Sequence, residues 1–372
     1  MNKSEISELR KLYKPESSAI SRIAGCYVDG EKNKKTVFRE ALFSLDEEDV
    51  FKYLEILKKA LSGSIGRNIA NLEFPVAAEG EGSMHERLSK LRDTELSDEA
   101  LVDDFYDIII NNFEYAGNYL ILLSVAAYDV PGKAKDGMTM EDASEEVYKY
   151  IQCVICPVEL SKSALSYNEE SGEFSHRIRD WVVSMPEFAL LFPAFNDRST
   201  DIHAMLMYSK NPKNLRGDMV ENVFGCVTPL PAHEQKNSFA AVLETVLGDE
   251  LKFDAVRNIN DNLLQMKEEM AQNKAVVEVD ASDFKYLMSD TGISEEKMGS
   301  FINAYSELTK ESPILLDNIV SKKTFEVKTA SVTVKVDADK AHLVSEQVVD
   351  GKRCIVIDID GENVEVNGVT IS

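Results

Sequence analysis

Apolar residues along this chain change period several times, and the changes mark its elements. From Val50 the positions Val50, Leu54, Leu57 and Leu61 recur at three and four, which puts them on one helix face; Gly63 follows as a stop. Ser44 with Glu47 reads as a capping box for that helix, because each side chain can satisfy an amide that the first turn leaves unpaired. A second amphipathic helix is predicted over 97–113, with Leu101, Phe105, Ile108 and Ile109 inward. Ahead of both, 20–43 reads as a hairpin: Cys26-Tyr27-Val28 runs into Asp29-Gly30 and a lysine-rich turn, and Thr36-Val37-Phe38 starts the return. The stretch 77–83 (AAEGEGS) has the composition of a loop.

After the second helix the pattern turns to strand. Segments 119–130 and 147–158 are rich in β-branched and aromatic residues, and Val130-Pro131-Gly132 is expected to end the first. Leu165-Ser166-Tyr167 and Glu173-Phe174-Ser175 flank Glu170-Ser171-Gly172 as a further hairpin, and 204–208 (AMLMY) adds a strand. The expectation is a mostly antiparallel sheet with helices on one side, an α+β arrangement. From 214 to 310 the chain reads as helical. Pro231 stands near the first turn of a helix over 232–247 that Gly248 stops, and Val256, Ile259, Leu263, Met266 and Met270 form a core stripe on the next. Shorter helices are predicted near 284–288 and 295–308. From Thr324 the residues alternate, as in Val332-Thr333-Val334-Lys335-Val336 and Ile355-Val356-Ile357-Asp358-Ile359, with tight turns at Asp360-Gly361 and Asn367-Gly368. The domain reading is an α+β main domain over 1–212, a helical region over 213–312 and a small β-rich C-terminal module over 313–372.

The net charge of −24 over 372 residues bears on partners. Repulsion from phosphate backbones and anionic lipid argues against nucleic acid and against a membrane surface. Lys32, Lys34, Lys35 and Arg39 cluster, but read as a solvated turn. The first residues carry no apolar signal core, and the longest apolar run, 119–128 (YLILLSVAAY), is far short of the ~20 residues of a spanning helix. With five scattered cysteines, the expectation is a cytoplasmic protein with reduced thiols.

Scarce chemistry collects between Phe174 and His203, which hold the only tryptophan and two of the five histidines. In Asn196-Asp197-Arg198-Ser199-Thr200-Asp201-Ile202-His203, an extended end would point Asp201 and His203 the same way, a carboxylate orienting an imidazole for acid–base work. Arg198 has the fork to grip an anion. Asn196 and Asp197 complete a candidate ligand set, yet the same string is what a hydrogen-bonded surface turn looks like. His176, Arg179 and Trp181 offer a ring-and-guanidinium surface for an anion or a partner, although a lone tryptophan also serves as core. Cys153-Val154-Ile155-Cys156 has a zinc-ligand spacing, but thiols three apart on a strand face opposite ways and no second CxxC exists. These cysteines read as buried and structural, and no metal or cofactor is expected. No GxSxG, P-loop, GxGxxG or HExxH occurs, and Gly63-Ser64-Ile65-Gly66-Arg67-Asn68 reads as a helix stop, since it lacks the Lys-Ser/Thr ending of a phosphate loop.

The segments CYVDGEKNKK from Cys26, GNYLILL from Gly117, YDVPGK from Tyr128, ICPVELSK from Ile155, RIRDWVV from Arg177, FPAFNDRSTDIH from Phe192 and VEVNG from Val364 occur in this order. In them the chain resembles, over nearly its full length, the bacterial family catalogued as domain of unknown function 4317, found largely in Gram-positive anaerobes. The resemblance implies a soluble bacterial protein and carries over no functional residue. The function expected is that of a non-enzymatic binding or scaffold protein whose partner is a protein or a small anionic ligand. The alternative is a hydrolase or transferase acting on an anionic small molecule or phosphoester, with Asp201 and His203 as acid and base and Arg198 as clamp. A mimic of nucleic-acid charge has only the net charge in its favour, since no long acidic run is present.

Overall fold

The computed structural model describes residues 1–133, 139–271, 277–288, 295–309, 312–359, 361 and 363–371. The chain is α+β, with a large antiparallel sheet, helices beside it and small β units near the C-terminus. It forms two compact units, Met1–Pro231 and Ala232–Ser372.

In the first unit the strands are β1 (Ile20–Val28), β2 (Lys34–Ala41), β3 (Ile69–Glu73), β4 (Asn118–Lys133), β5 (Thr139–Leu160), β6 (Leu165–Asn168), β7 (Glu173–His176), β8 (Trp181–Val183), β9 (Phe188–Phe192), β10 (Ala194–Asn196), β11 (Ser199–Asp201) and β12 (Ala204–Ser209). The main sheet has the order β2-β1-β4-β5-β9-β12-β3, with β8 on β5. All of its strand pairs are antiparallel. The hairpins β6–β7 and β10–β11 stand apart from it.

The helices of this unit are α1 (Lys3–Arg10), α2 (Glu47–Lys59), α3 (Met84–Asp93), α4 (Glu99–Asn112) and the single turn α5 (Gly217–Met219). They cover both faces of the sheet, not one as the sequence suggested. Leu88, Phe105 and Ile109 of α3 and α4 pack with Cys26, Leu123 and Cys153 on one face. Ile6, Leu9, Val50, Leu54 and Leu57 of α1 and α2 pack with Leu122, Val154 and Cys156 on the other. A strand buried on both faces is apolar along most of its length, which is why 119–126 and 150–158 show no alternation, with Ser124 and Gln152 the buried polar exceptions.

Two local readings are corrected. The capping box at Ser44 and Glu47 does not form: α2 starts after Asp46, and the Ser44 hydroxyl donates to the Ala41 carbonyl instead. Nor does Val130-Pro131-Gly132 end a strand. β4 continues to Lys133 because register shifts at Val130/Pro131 and Pro131/Gly132 absorb the proline as irregularities in the ladder.

The second unit holds α6 (Ala232–Leu247), α7 (Phe253–Ala271), α8 (Ala281–Met288), α9 (Glu295–Thr309) and α10 (Leu316–Ile319), with β13 (Glu278–Val279) paired to β14 (Ile314–Leu315). Phe239, Val242, Ile259, Leu263, Phe284 and Phe301 make its core. The predicted α7 stripe is buried at Ile259 and Leu263 and open at Val256 and Met270. Beyond it lie three hairpins in series: β15 (Thr324–Lys328) with β16 (Thr333–Asp337), β17 (Val344–Val349) with β18 (Lys352–Ile357), and β19 (Val364–Val366) with β20 (Val369–Ile371). Asn367 and Gly368 both have positive φ, as the predicted tight turn requires. Asp360, of the other predicted turn, lies outside the described residues.

Candidate functional site

The structure separates the candidate residues into two groups. Asn196, Asp197, Arg198, Asp201 and His203 belong to the β10–β11 hairpin and its exit. His176, Arg179 and Trp181 lie on an arm that leaves β5 at Ser161 and returns at β8.

The β10–β11 hairpin turns on Asp197 and Arg198, both left-handed at φ 51° and 59° between the paired residues Asn196 and Ser199. Neither is glycine, so the turn carries local strain that its contacts must offset. Those contacts are abundant. Arg198 grips Glu8 with two prongs, Nε to Oε2 at 3.0 Å and Nη2 to Oε1 at 3.0 Å, and also donates to the Pro131 carbonyl at 2.8 Å. Tyr128 donates its hydroxyl to the same Glu8 at 2.9 Å. Glu146 accepts the Ser199 hydroxyl at 2.7 Å, the Thr200 amide at 3.0 Å and the Thr200 hydroxyl. These bonds hold its carboxyl below the usual range. The Asn196 side chain donates to Asp201 Oδ2 at 2.6 Å and accepts from the Met1 ammonium, which also donates to Asn71 at 2.9 Å.

This network does not assemble the expected acid–base pair. Asp201 Oδ1 accepts the backbone N–H of His203 at 3.0 Å, while the His203 ring turns away to Glu79, with Nδ1 2.8 Å from Oε1. The reason is local: the chain leaves β11 after Asp201 and turns, so the strand alternation that would align the two side chains ends between them. The expected anion clamp is likewise occupied, since Arg198 is 13% exposed and its fork is filled by Glu8. The hairpin acts as a polar clasp between sheet and helix, closing on α1 through Glu8.

The Glu79 hydrogen bond raises the His203 pKa above its ordinary value. A pKa raised by folding means that the stabilising contribution is whole below about pH 6.5 and is lost as pH climbs through the folded-state value. Glu79→Gln is therefore expected to lower the thermal midpoint slightly in acid and to leave it unchanged at alkaline pH. NMR of the His203 ring checks the pairing: titration at the same pH in both proteins would remove it.

The CxxC does not converge either. Cys153 lies in the core on the α3–α4 face and Cys156 in the core on the α1–α2 face, as strand geometry requires of residues three apart. Burial pushes both thiols up, Cys156 to about 12, so neither is a thiolate near neutrality. Among the described residues no cluster of three or more His, Cys, Asp or Glu side chains is placed to hold a metal.

The arm has the opposite character. Its root is stitched by backbone bonds from Ser161 to the Asp180 carbonyl and from Arg177 to the Ala164 carbonyl, each 2.8 Å, and by Arg179 Nε donating to the Ser161 carbonyl at 2.7 Å. Arg179 is thus a brace for the arm. Beyond the root, the β6–β7 register places Leu165 opposite His176 and Tyr167 opposite Phe174. Side chains alternate between faces, so these four share one face, and Ser166, Asn168, Glu173 and Ser175 share the other. The apolar face is open to water: Leu165 is 74% exposed and Phe174 73%, with the Tyr167 and Phe174 rings 5.3 Å apart. Ile178 at 78% and Trp181 at 56% are also open to water farther along the arm. Trp181 is therefore not a core residue.

Sequence reasoning missed a cavity of about 440 Å³ between the end of α1 and α2. Tyr13, Pro15, Phe51 and Leu54 line it, with Lys14 and Lys58 balanced by Glu16 and Glu55 at its edge. Its origin is legible in retrospect. Pro15 drives Lys14 to extended backbone, at φ −136° and ψ 145°, which sets the turn Pro15–Ser17 opposite α2 across the hollow. Phe51 lies off the buried stripe of α2, an apolar residue with no place in the core.

No helix among the described residues is long and apolar enough to cross a membrane. No curated protein matches the chain. The family profile described as Domain of unknown function (DUF4317) matches residues 1–369, and the chain belongs to that family.

Proposed function

We propose that this is a non-enzymatic binding or scaffold protein of the bacterial cytoplasm, and that it engages a protein partner through the arm 161–183. The observation that carries the reading is the amphipathic β6–β7 ribbon with its apolar face in water. A two-stranded ribbon is marginal alone, and leaving Leu165, Tyr167, Phe174, Ile178 and Trp181 exposed forgoes about 1.5–3 kcal/mol for each large side chain that full burial would stabilise. An exposed apolar ribbon face, with a tryptophan on the same arm and an arginine-braced root, has the anatomy of a contact hot spot. A reducing compartment suits the five unpaired thiols. The alternative, hydrolysis or group transfer at the β10–β11 hairpin, loses its support where Glu8 fills the Arg198 fork and Glu79 takes the His203 ring.

The test is capture by the whole chain, wild type against Phe174→Asp and Trp181→Asp. Each variant is expected to weaken partner retention by about 2–4 kcal/mol, as hot-spot residues do. Each should leave the thermal midpoint nearly unchanged, because both side chains already face solvent. A partner held equally by wild type and both variants would move the contact elsewhere and remove this reading.

A further inference from the structure

From the arm's geometry and charge we propose that its partner is a second copy of this chain, with two β6–β7 ribbons stacked face to face about a twofold axis. This rests on the reading of the arm as the contact surface and goes further by naming what covers it.

Two observations on the arm fit the same occupant. The first is shape. The ribbon is a flat strip of paired strands with one apolar and one polar face. Two such strips laid face to face bury both apolar sides at the spacing of packed sheets, about 10 Å. A twofold axis through the Tyr167–Phe174 pair brings the four rings of the two copies together in the centre. This is an isologous contact, closed at two copies.

The second observation is the order of charge along the strip. The turn that caps the ribbon carries Glu169 and Glu170, and the root end carries Arg177. Among the described residues, none of the side chains of Glu169, Glu170 or Arg177 has an ion-pair partner, and all are exposed. The opposite charges thus lie at opposite ends of one ribbon, too far apart to pair within it. Antiparallel stacking of two copies sets each acidic turn over the basic root of the other and makes the complementary contact twice.

Sedimentation of the full chain at micromolar concentration tests the proposal. Wild type is expected to be a dimer that loosens as salt rises, since its end contacts are exposed ion pairs. Phe174→Asp and Tyr167→Asp should sediment as monomers with an unchanged thermal midpoint, which separates lost contact from lost fold. The double variant Glu169→Arg, Glu170→Arg should weaken the dimer by about tenfold or more through like-charge juxtaposition, and adding Arg177→Glu should recover most of that loss. A monomeric wild type, or a dimer indifferent to Phe174→Asp, overturns the proposal. If wild type is monomeric while an arm variant still loses a different captured protein, the self-partner falls and the binding surface stands. If capture is also indifferent to the arm, both fall.

Discussion

Gln152→Leu should destabilise the first unit by about 2–3 kcal/mol, although leucine fills much the same volume and the position is wholly buried. Gln152 is the centre of a hydrogen-bonded chain inside an otherwise apolar layer. Tyr150 donates to the Tyr13 hydroxyl at 3.3 Å, Tyr13 donates to Gln152 Oε1 at 2.9 Å, and Gln152 Nε2 donates to the Leu57 carbonyl at 3.0 Å. Burial raises the pKa of the Tyr150 hydroxyl to about 12 and lifts that of Tyr13 as well, so both remain donors throughout the neutral range. Leucine strands the buried Tyr13 proton without its acceptor, and that desolvation cost outweighs any gain in apolar burial. The Leu57 carbonyl suffers less, because the Ala60 amide still reaches it at 3.2 Å. Tyr13→Phe should also be costly, since it strands both Tyr150 and Gln152. The triple change Gln152→Leu, Tyr13→Phe, Tyr150→Phe removes every member of the chain at once and should recover most of the loss. Chemical denaturation of the four proteins checks this. Strict additivity, with the triple variant the least stable, would show that packing and not hydrogen-bond satisfaction governs the site.

The same network explains which parts of the molecule could be read from sequence. Each well-predicted feature is local. The β6–β7 hairpin follows from two short polar–apolar alternations around Glu170-Ser171-Gly172, and Gly172 does take a positive φ, at 67°. The α2 stripe follows from the spacing of Val50, Leu54 and Leu57, all buried. The opposed Cys153 and Cys156 follow from strand alternation alone. Apart from the Ser44 capping box, the strand end at Pro131 and the alignment of Asp201 with His203, what failed depended on partners distant in the chain. The string Asn196–His203 was recognised as dense in hydrogen-bonding groups, and it is. But its roles are set by Glu8, Glu79 and Glu146, and no local rule says that those carboxylates come to meet it. Helices on both sheet faces were hidden for a similar reason: an apolar run records burial, not the number of layers that supply it. The openness of Trp181 was illegible because its segment pairs with the end of β5 at Leu160, beyond the reach of the helical cover.

Arg198→Ala, finally, should cost the first unit about 2–3 kcal/mol, which for a unit of this size is about 5–10 °C in thermal midpoint. The side chains of Arg198 and Glu8 are 13% and 21% exposed, so most of the pair is withdrawn from water. Alanine leaves the Glu8 carboxylate with the Tyr128 hydroxyl as its remaining bond of this group and deprives the Pro131 carbonyl of the guanidinium. It brings no conformational relief, because alanine is no more at ease than arginine at φ 59°. The charge alone is not the point, so Arg198→Lys should fall well short of wild type: an ammonium cannot fill both carboxylate oxygens and the carbonyl in one plane. Glu8→Gln should be milder than Arg198→Ala, since the amide still accepts from Tyr128 and from one prong of the fork. In the double variant the two losses should overlap, giving a coupling of about 1–2 kcal/mol in a double-mutant cycle. Such coupling would place the value of this arginine in holding α1 against the β10–β11 turn. Were Arg198→Ala instead to leave stability intact, the guanidinium would not be spent on the fold, and its use as an anion grip would regain its claim.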